Sequence, residues 1–257
     1  MRRDLEVNRQ VERLRSMLLV HTLADELQCG HKGYALGMRL CAGSSEIDVV
    51  EAQSHKWGGR LRGAKISEAE RDSLIASYPV LGAVWSDPLW EDLKYVRANA
   101  EIPRCFDSIL PADHAMRKFS PTSMRQWIDV PDPKRLCEIV LLLRDDSSSL
   151  HLQRLWVIKN LAAYLLVVSI FAPFRPVAVP LYKCIRDLPL KKASMVDALQ
   201  SRLLFSLPDW ERWVQAAQEE ATEWLGSRKG RNPALARRWL WNELTNSDFQ
   251  RRLSPRL

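Results

Sequence analysis

Glycine is scarce in this chain, 10 of 257 residues. That disfavours a β-sandwich or barrel, where tight turns recur at short intervals. Cysteine is also sparse: Cys29, Cys41, Cys105, Cys137 and Cys184 are odd in number, widely spaced and without a Cys-x-x-Cys. Such a set argues against a disulfide scaffold and fits a reducing compartment, so a cytoplasmic location is expected. The longest early apolar run, Met17 to Val20, is too short for the core of a signal peptide.

Compact chemical motifs are missing too. The glycine-broken stretch Trp57-Gly-Gly-Arg-Leu-Arg-Gly63 lacks the Gly-Lys-Ser/Thr ending of a Walker loop, although its backbone N–H groups and arginines suit a phosphate. No Gly-x-Ser-x-Gly, His-Glu-x-x-His, dinucleotide fingerprint or kinase set occurs. Cys29, His31, Cys41 and His55 are metal-ligand types, but no pair has the short spacing of a zinc module, and no metal site is expected. Asp113-His114 is a sequence neighbourhood without implied geometry. Hence no catalytic residue and no cofactor are assigned, and a non-enzymatic protein is expected. An enzyme whose groups meet only in the fold would leave the same blank.

What the chain does have is apolar content of 46% and ten tryptophans, enough for real cores. Its most apolar stretch is Leu155–Phe174. The 15 residues between Lys159 and Arg175 carry no charge, against the roughly 20 that a membrane span needs. Arg154 and Arg175 flank the stretch, so loop charge gives no orientation. The expectation is a central helix over 150–172 buried in protein, capped by Ser147, Ser148 or Ser149. Pro173 and Pro176 should end it and lead into extended chain to Pro180. Membrane anchoring stays the exception.

Around it the signals are helical. Leu5, Val7, Val11, Leu14, Leu18, Leu19 and Leu23 keep helical spacing over 2–29, with Gly30 or Gly33 as a stop. Residues 31–66 are the least legible, Tyr34–Ala42 reading equally as helix or strand. Ser67-Glu-Ala-Glu70 has capping-box spacing, and Asp87-Pro88, Ser120-Pro121, Asp132-Pro133 and Asn232-Pro233 each read as an N-cap followed by proline at the first helical position. Residues 191–205 are amphipathic through Met195, Leu199 and Leu203. Asp209–Leu225 carries one stripe of Trp210, Trp213, Val214, Ala217, Ala221, Trp224 and Leu225. Leu235, Trp239 and Leu240 should face inward on the last helix, and a further turn is expected at Ser247. The fold class is therefore all-α: an irregular multi-helix bundle, with room for two helical subdomains around the central helix. The expected organisation is an N-terminal subdomain over 1–98, a proline-containing connection over 99–133, and a C-terminal subdomain over 134–257 with a basic tail.

The formal charge of +7 is uneven. Residues 227–257 hold eight Lys or Arg and two acids. Localised positive charge suits a polyanion. Arg228, Lys229, Arg231, Arg237, Arg238, Arg251 and Arg252 are candidate phosphate contacts. Trp241, one turn beyond Arg237 and Arg238, is a candidate stacking partner on an outward face. Lys56, Arg60 and Arg62 form a second candidate patch. Asp145-Asp146 at a helix end opposes the helix dipole and hints at a cation or partner. The first reading is a nucleic-acid-binding protein, DNA before RNA. The second is a protein-interaction adaptor or accessory subunit of a larger bacterial-type assembly or secretion machine, its tryptophans and leucines serving as interface.

Overall fold

The structure, a computed structural model, describes residues 2–41, 47–94, 119–190, 192–226 and 232–245. These residues are helical or in turns, with no strand among them. The chain divides into two compact units, Met1–Lys94 and Tyr95–Leu257.

The first unit contains α1 (Arg2–Glu26), α2 (Gly33–Leu40), α3 (Ile47–Leu61), α4 (Glu68–Ser77), α5 (Val80–Trp85) and α6 (Leu89–Leu93). Leu19, Val20 and Leu23 of α1 meet Leu36, Trp57, Leu61, Leu74 and Leu81 in one apolar cluster. The most intimate contact is between α2 and α3. A Cβ added at Gly33 would lie 2.4 Å from the Ser54 carbonyl oxygen and 2.5 Å from the Gly58 nitrogen, and one at Gly37 would lie 3.1 Å from the Ser54 nitrogen. Gly33-x-x-x-Gly37 and Ser54-x-x-x-Gly58 thus face each other, and only small residues let two backbones come this close. This overturns the reading of Trp57–Gly63 as a phosphate loop. Trp57 through Leu61 are helical, and Gly58 is where α2 passes. Helix α3 ends at Leu61 in a turn closed by Gly63, whose φ of +90° is left-handed, and Arg13 of α1 donates from Nε to the Arg62 carbonyl at 2.9 Å. The Ser67 hydroxyl accepts from the Glu70 N–H at 3.4 Å and starts α4.

The second unit contains α7 (Pro121–Trp127), α8 (Pro133–Arg144), α9 (His151–Ser169), α10 (Ala178–Arg186), α11 (Ala193–Gln200), α12 (Leu207–Gly226) and α13 (Pro233–Thr245). Helix α9 is the central element. Its Val157, Ile158, Leu161, Tyr164, Leu165 and Val168 are all buried, and α8, α12 and α13 pack on it. Among the described residues no helix is long and apolar enough to cross a membrane. The expected starts at Ser120, Asp132 and Asn232 are real: their side-chain oxygens accept from the N–H groups of Ser123 (3.0 Å), Arg135 (2.7 Å) and Ala234 (2.9 Å).

Two expectations here are corrected. The serines at 147–149 do not cap α9: a 3-10 turn over Ser148–Leu150 intervenes, and Leu150 holds the cap position. The segment after Pro173 is not extended. It makes a turn and then α10, because Phe174, Val177, Leu181 and Ile185 all reach the core, and Pro180 falls in the first helical turn, where its missing N–H has no intrahelical partner to lose.

Candidate nucleic-acid interface

Helix α13 buries Ala236, Leu240, Trp241 and Leu244. These recur at helical spacing and select one face for the core. Trp241, 4% exposed, meets the Tyr164 ring edge-on with centroids 6.0 Å apart. Tyr164 in turn donates its hydroxyl to the Asp132 carbonyl at 2.7 Å and accepts from the Asp132 N–H at 3.2 Å. Burial pushes that phenol well above its ordinary pKa, the neighbouring Asp132 adding to the effect, so it stays a neutral donor. Trp241 is therefore part of the core, which corrects its assignment as an outward stacking partner. The indole has no free face to offer a base.

The arginines before it occupy other sides of the helix. Arg238 is half-exposed and ion-paired with Asp129, itself exposed. Arg237 is partly buried, its guanidinium 5.8 Å from the Phe171 ring centre and its Nε without a hydrogen-bond partner. Trp239, also expected to face inward, is half-buried and stacks on Trp224 of α12 with centroids 5.3 Å apart and planes 15° from parallel. Leu235, expected inward, is 49% exposed: it lies one residue off the Ala236–Leu240–Leu244 row. Exposed cations also stand on the two helices that flank Asp129 in sequence, Arg125 on α7 and Lys134 on α8. Neither stands out in the sequence, because Arg125 is isolated and the Lys134-Arg135 pair lies outside the dense charge near the end of the chain. Arg228, Lys229, Arg231, Arg251 and Arg252, and the turn expected at Ser247, lie outside the described residues.

The second patch separates into different environments. Arg60 is 8% exposed and forks onto the Glu70 carboxylate, with its guanidinium 4.7 Å from the Trp57 ring centre. Lys56 reaches the same carboxylate at 2.9 Å. Burial alone would raise the pKa of Glu70, but the hydrogen bonds from Arg60 and Lys56 outweigh it and hold the carboxyl below its usual range. Two of the three cations are thus answered by one internal anion. Arg62 remains exposed, with Lys65 beyond it.

Other candidates resolve in the same way. The acids at 145–146 have their cation within the chain: Arg154 of α9, fully buried, pairs with Asp145 at 3.3 Å and donates to the Ser147 carbonyl at 2.5 Å. No group of three or more His, Cys, Asp or Glu among the described residues could hold a metal ion. His31 meets His21, and His55 lies 3.9 Å from Glu51 on its own helix. Asp113 and His114 lie outside the described residues.

No family model, no curated protein and no solved structure matches the chain.

Proposed function

We propose that this is a non-enzymatic helical protein that binds nucleic acid, duplex DNA first, through the basic C-terminal part of its second unit. The observation that carries the proposal is the distribution of charge between the units. Residues 1–94 hold 13 Lys or Arg against 14 Asp or Glu, while residues 95–257 hold 25 against 17. The whole cationic excess therefore belongs to one unit. A surface of that sign lowers the free energy of a phosphate backbone by releasing its counterions. The contacting residues are Arg228, Lys229, Arg231, Arg237, Arg238, Arg251 and Arg252, with Arg125 and Lys134 as additional cations. Arg62 is what remains of the second patch; Arg60 and Lys56 are held by Glu70.

The test is a fluorescence-anisotropy titration of duplex DNA at several salt concentrations. The intact protein is compared with the variant R228E/K229E/R251E, which leaves the Arg238–Asp129 pair in place. Binding that weakens with salt is expected, with a log–log slope shallower by about 3 in the variant, at ~0.9 per phosphate contact. Equal slopes and affinities in the two proteins would overturn the proposal.

A second reading, an interaction adaptor, is favoured by the leucines left in water. Leu152 and Leu155 are 52% and 38% exposed on α9, and Leu204 is 78% exposed. Failure of the folded, intact protein to bind DNA at low salt would turn attention to this surface. L152E/L155E should then abolish association with a partner and leave helicity unchanged.

A further inference from the structure

The first unit contains a cluster of His and Asp side chains that the proposed function does not use. His21, on the last turns of α1 and 8% exposed, faces His31 of the α1–α2 turn, with the two Nδ1 atoms 2.8 Å apart. The Leu61 carbonyl at the end of α3 also bears on the His21 ring and favours its protonated form. The Nε2 of His31 lies 3.0 Å from the Asp25 carboxylate. A 2.8 Å contact between two imidazole nitrogens has room for one proton, one ring donating it and the other accepting.

We propose that His21, His31 and Asp25 form a proton-gated latch on the α1–α2 turn, closed near neutral pH and released by uptake of one further proton on His21. With a proton on both facing Nδ1 atoms, an N–H would stand against an N–H at the 2.8 Å contact. The ionisable groups bearing on His21 are His31 from the turn and Asp25 from its own helix; α3 presents the Leu61 carbonyl. Asp25 also bears on Cys29, as does Arg39 from α2. Burial, and then the charge of His31, push His21 down to about 4 from an ordinary 6.5. An opened turn frees His21 to titrate normally. Its neutral form thus favours the closed state, fully above about 6.5 and progressively less as pH falls toward 4. The turn being held is a constrained one, with left-handed φ at Gln28 (51°) and Gly30 (74°).

The experiment is amide hydrogen exchange of residues 27–33 in the full chain at pH 7 and pH 5, corrected for the intrinsic pH dependence of exchange. Opening of the turn should rise on the order of tenfold at pH 5, as one-proton linkage requires. In H21Q, whose amide can still bridge Leu61 and His31 but takes up no proton, the rise should fall below about threefold. Imidazole nitrogen NMR of the unaltered protein gives an independent reading should that variant not fold. His21 should remain neutral at pH 5.5. An ordinary titration midpoint for His21, or equal turn opening at the two pH values, would overturn the latch.

Discussion

Arg154 shows what a single charge requires once it leaves water. It is fully buried on α9, answered by Asp145 and by the Ser147 carbonyl, and its Nε has no partner. Burial lowers its pKa, while Asp145 and Asp146 act to raise it. Removing one member of such a pair leaves the other charged and unanswered. The change D145A should therefore cost about 3 kcal/mol in urea denaturation, and R154M less, about 1 kcal/mol, since the Asp145 left behind is partly exposed and keeps the Ser147 N–H, whereas the Arg154 left by D145A is fully buried. Equal losses in the two variants would refute this reading. The carboxylates were legible in the sequence as an anomaly at a helix end, but the cation that answers them was not. Arg154 is nine residues on, inside what reads as the start of a buried helix, and a sequence pattern does not say which way that side chain turns. Trp241 failed for a related reason. One residue after Leu240, it could belong to either side of the apolar row, and contact with Tyr164 decides it.

At the scale of elements, most helix starts could be read in advance, because a cap is a local device. Ser67, Ser120, Asp132 and Asn232 each act on an N–H two or three residues away. The α2–α3 pair was not, because its code is an absence of side chains. Gly33 and Gly37 against Ser54 and Gly58 look like helix-breaking residues until two helices are laid together. Two consequences are measurable. G33L should destabilise the first unit by about 2 kcal/mol or more, since the new side chain meets backbone rather than a movable side chain; a thermal melt checks it. Y164F removes the hydroxyl that holds both the N–H and the carbonyl of Asp132, and should cost about 1–2 kcal/mol with the fold retained. The residues after Pro173 show the opposite limit. Prolines end α9, yet a first-turn proline is compatible with the new helix that Leu181 and Ile185 anchor.

For the molecule as a whole, each unit owns a core. The cluster built on Leu19, Leu23, Leu36, Trp57 and Leu81 lies entirely within Met1–Lys94. A fragment of residues 1–94 should then fold alone, giving a helical circular-dichroism spectrum and a cooperative melt; a non-cooperative, weakly helical fragment would contradict this. Acid should act on this unit in two stages. His21, held below its ordinary value, withdraws stability as pH falls from about 6.5 toward 4. Glu70, also depressed, contributes fully above its ordinary 4.5 and withdraws its contribution only below that. Denaturant midpoints of the fragment at pH 7, 5.5 and 4 should fall at each step, with the first step largely absent in H21Q. Composition conveyed the amount of charge and its concentration near the end of the chain. It did not convey that Glu70 neutralises most of the second patch, because that pairing joins α3 to the helix after it.

The stacked indoles of Trp224 and Trp239 give the second unit a built-in optical gauge. Two identical chromophores held 5.3 Å apart and 15° from coplanar share their excitation. Each alone would give only a weak, featureless signal. Together they add an exciton contribution to the circular dichroism, which vanishes when either ring is replaced by leucine. That contribution reads the union of α12 with α13 without any label, so a ligand gripping the basic segment between them would be seen directly to tighten, loosen or ignore that union.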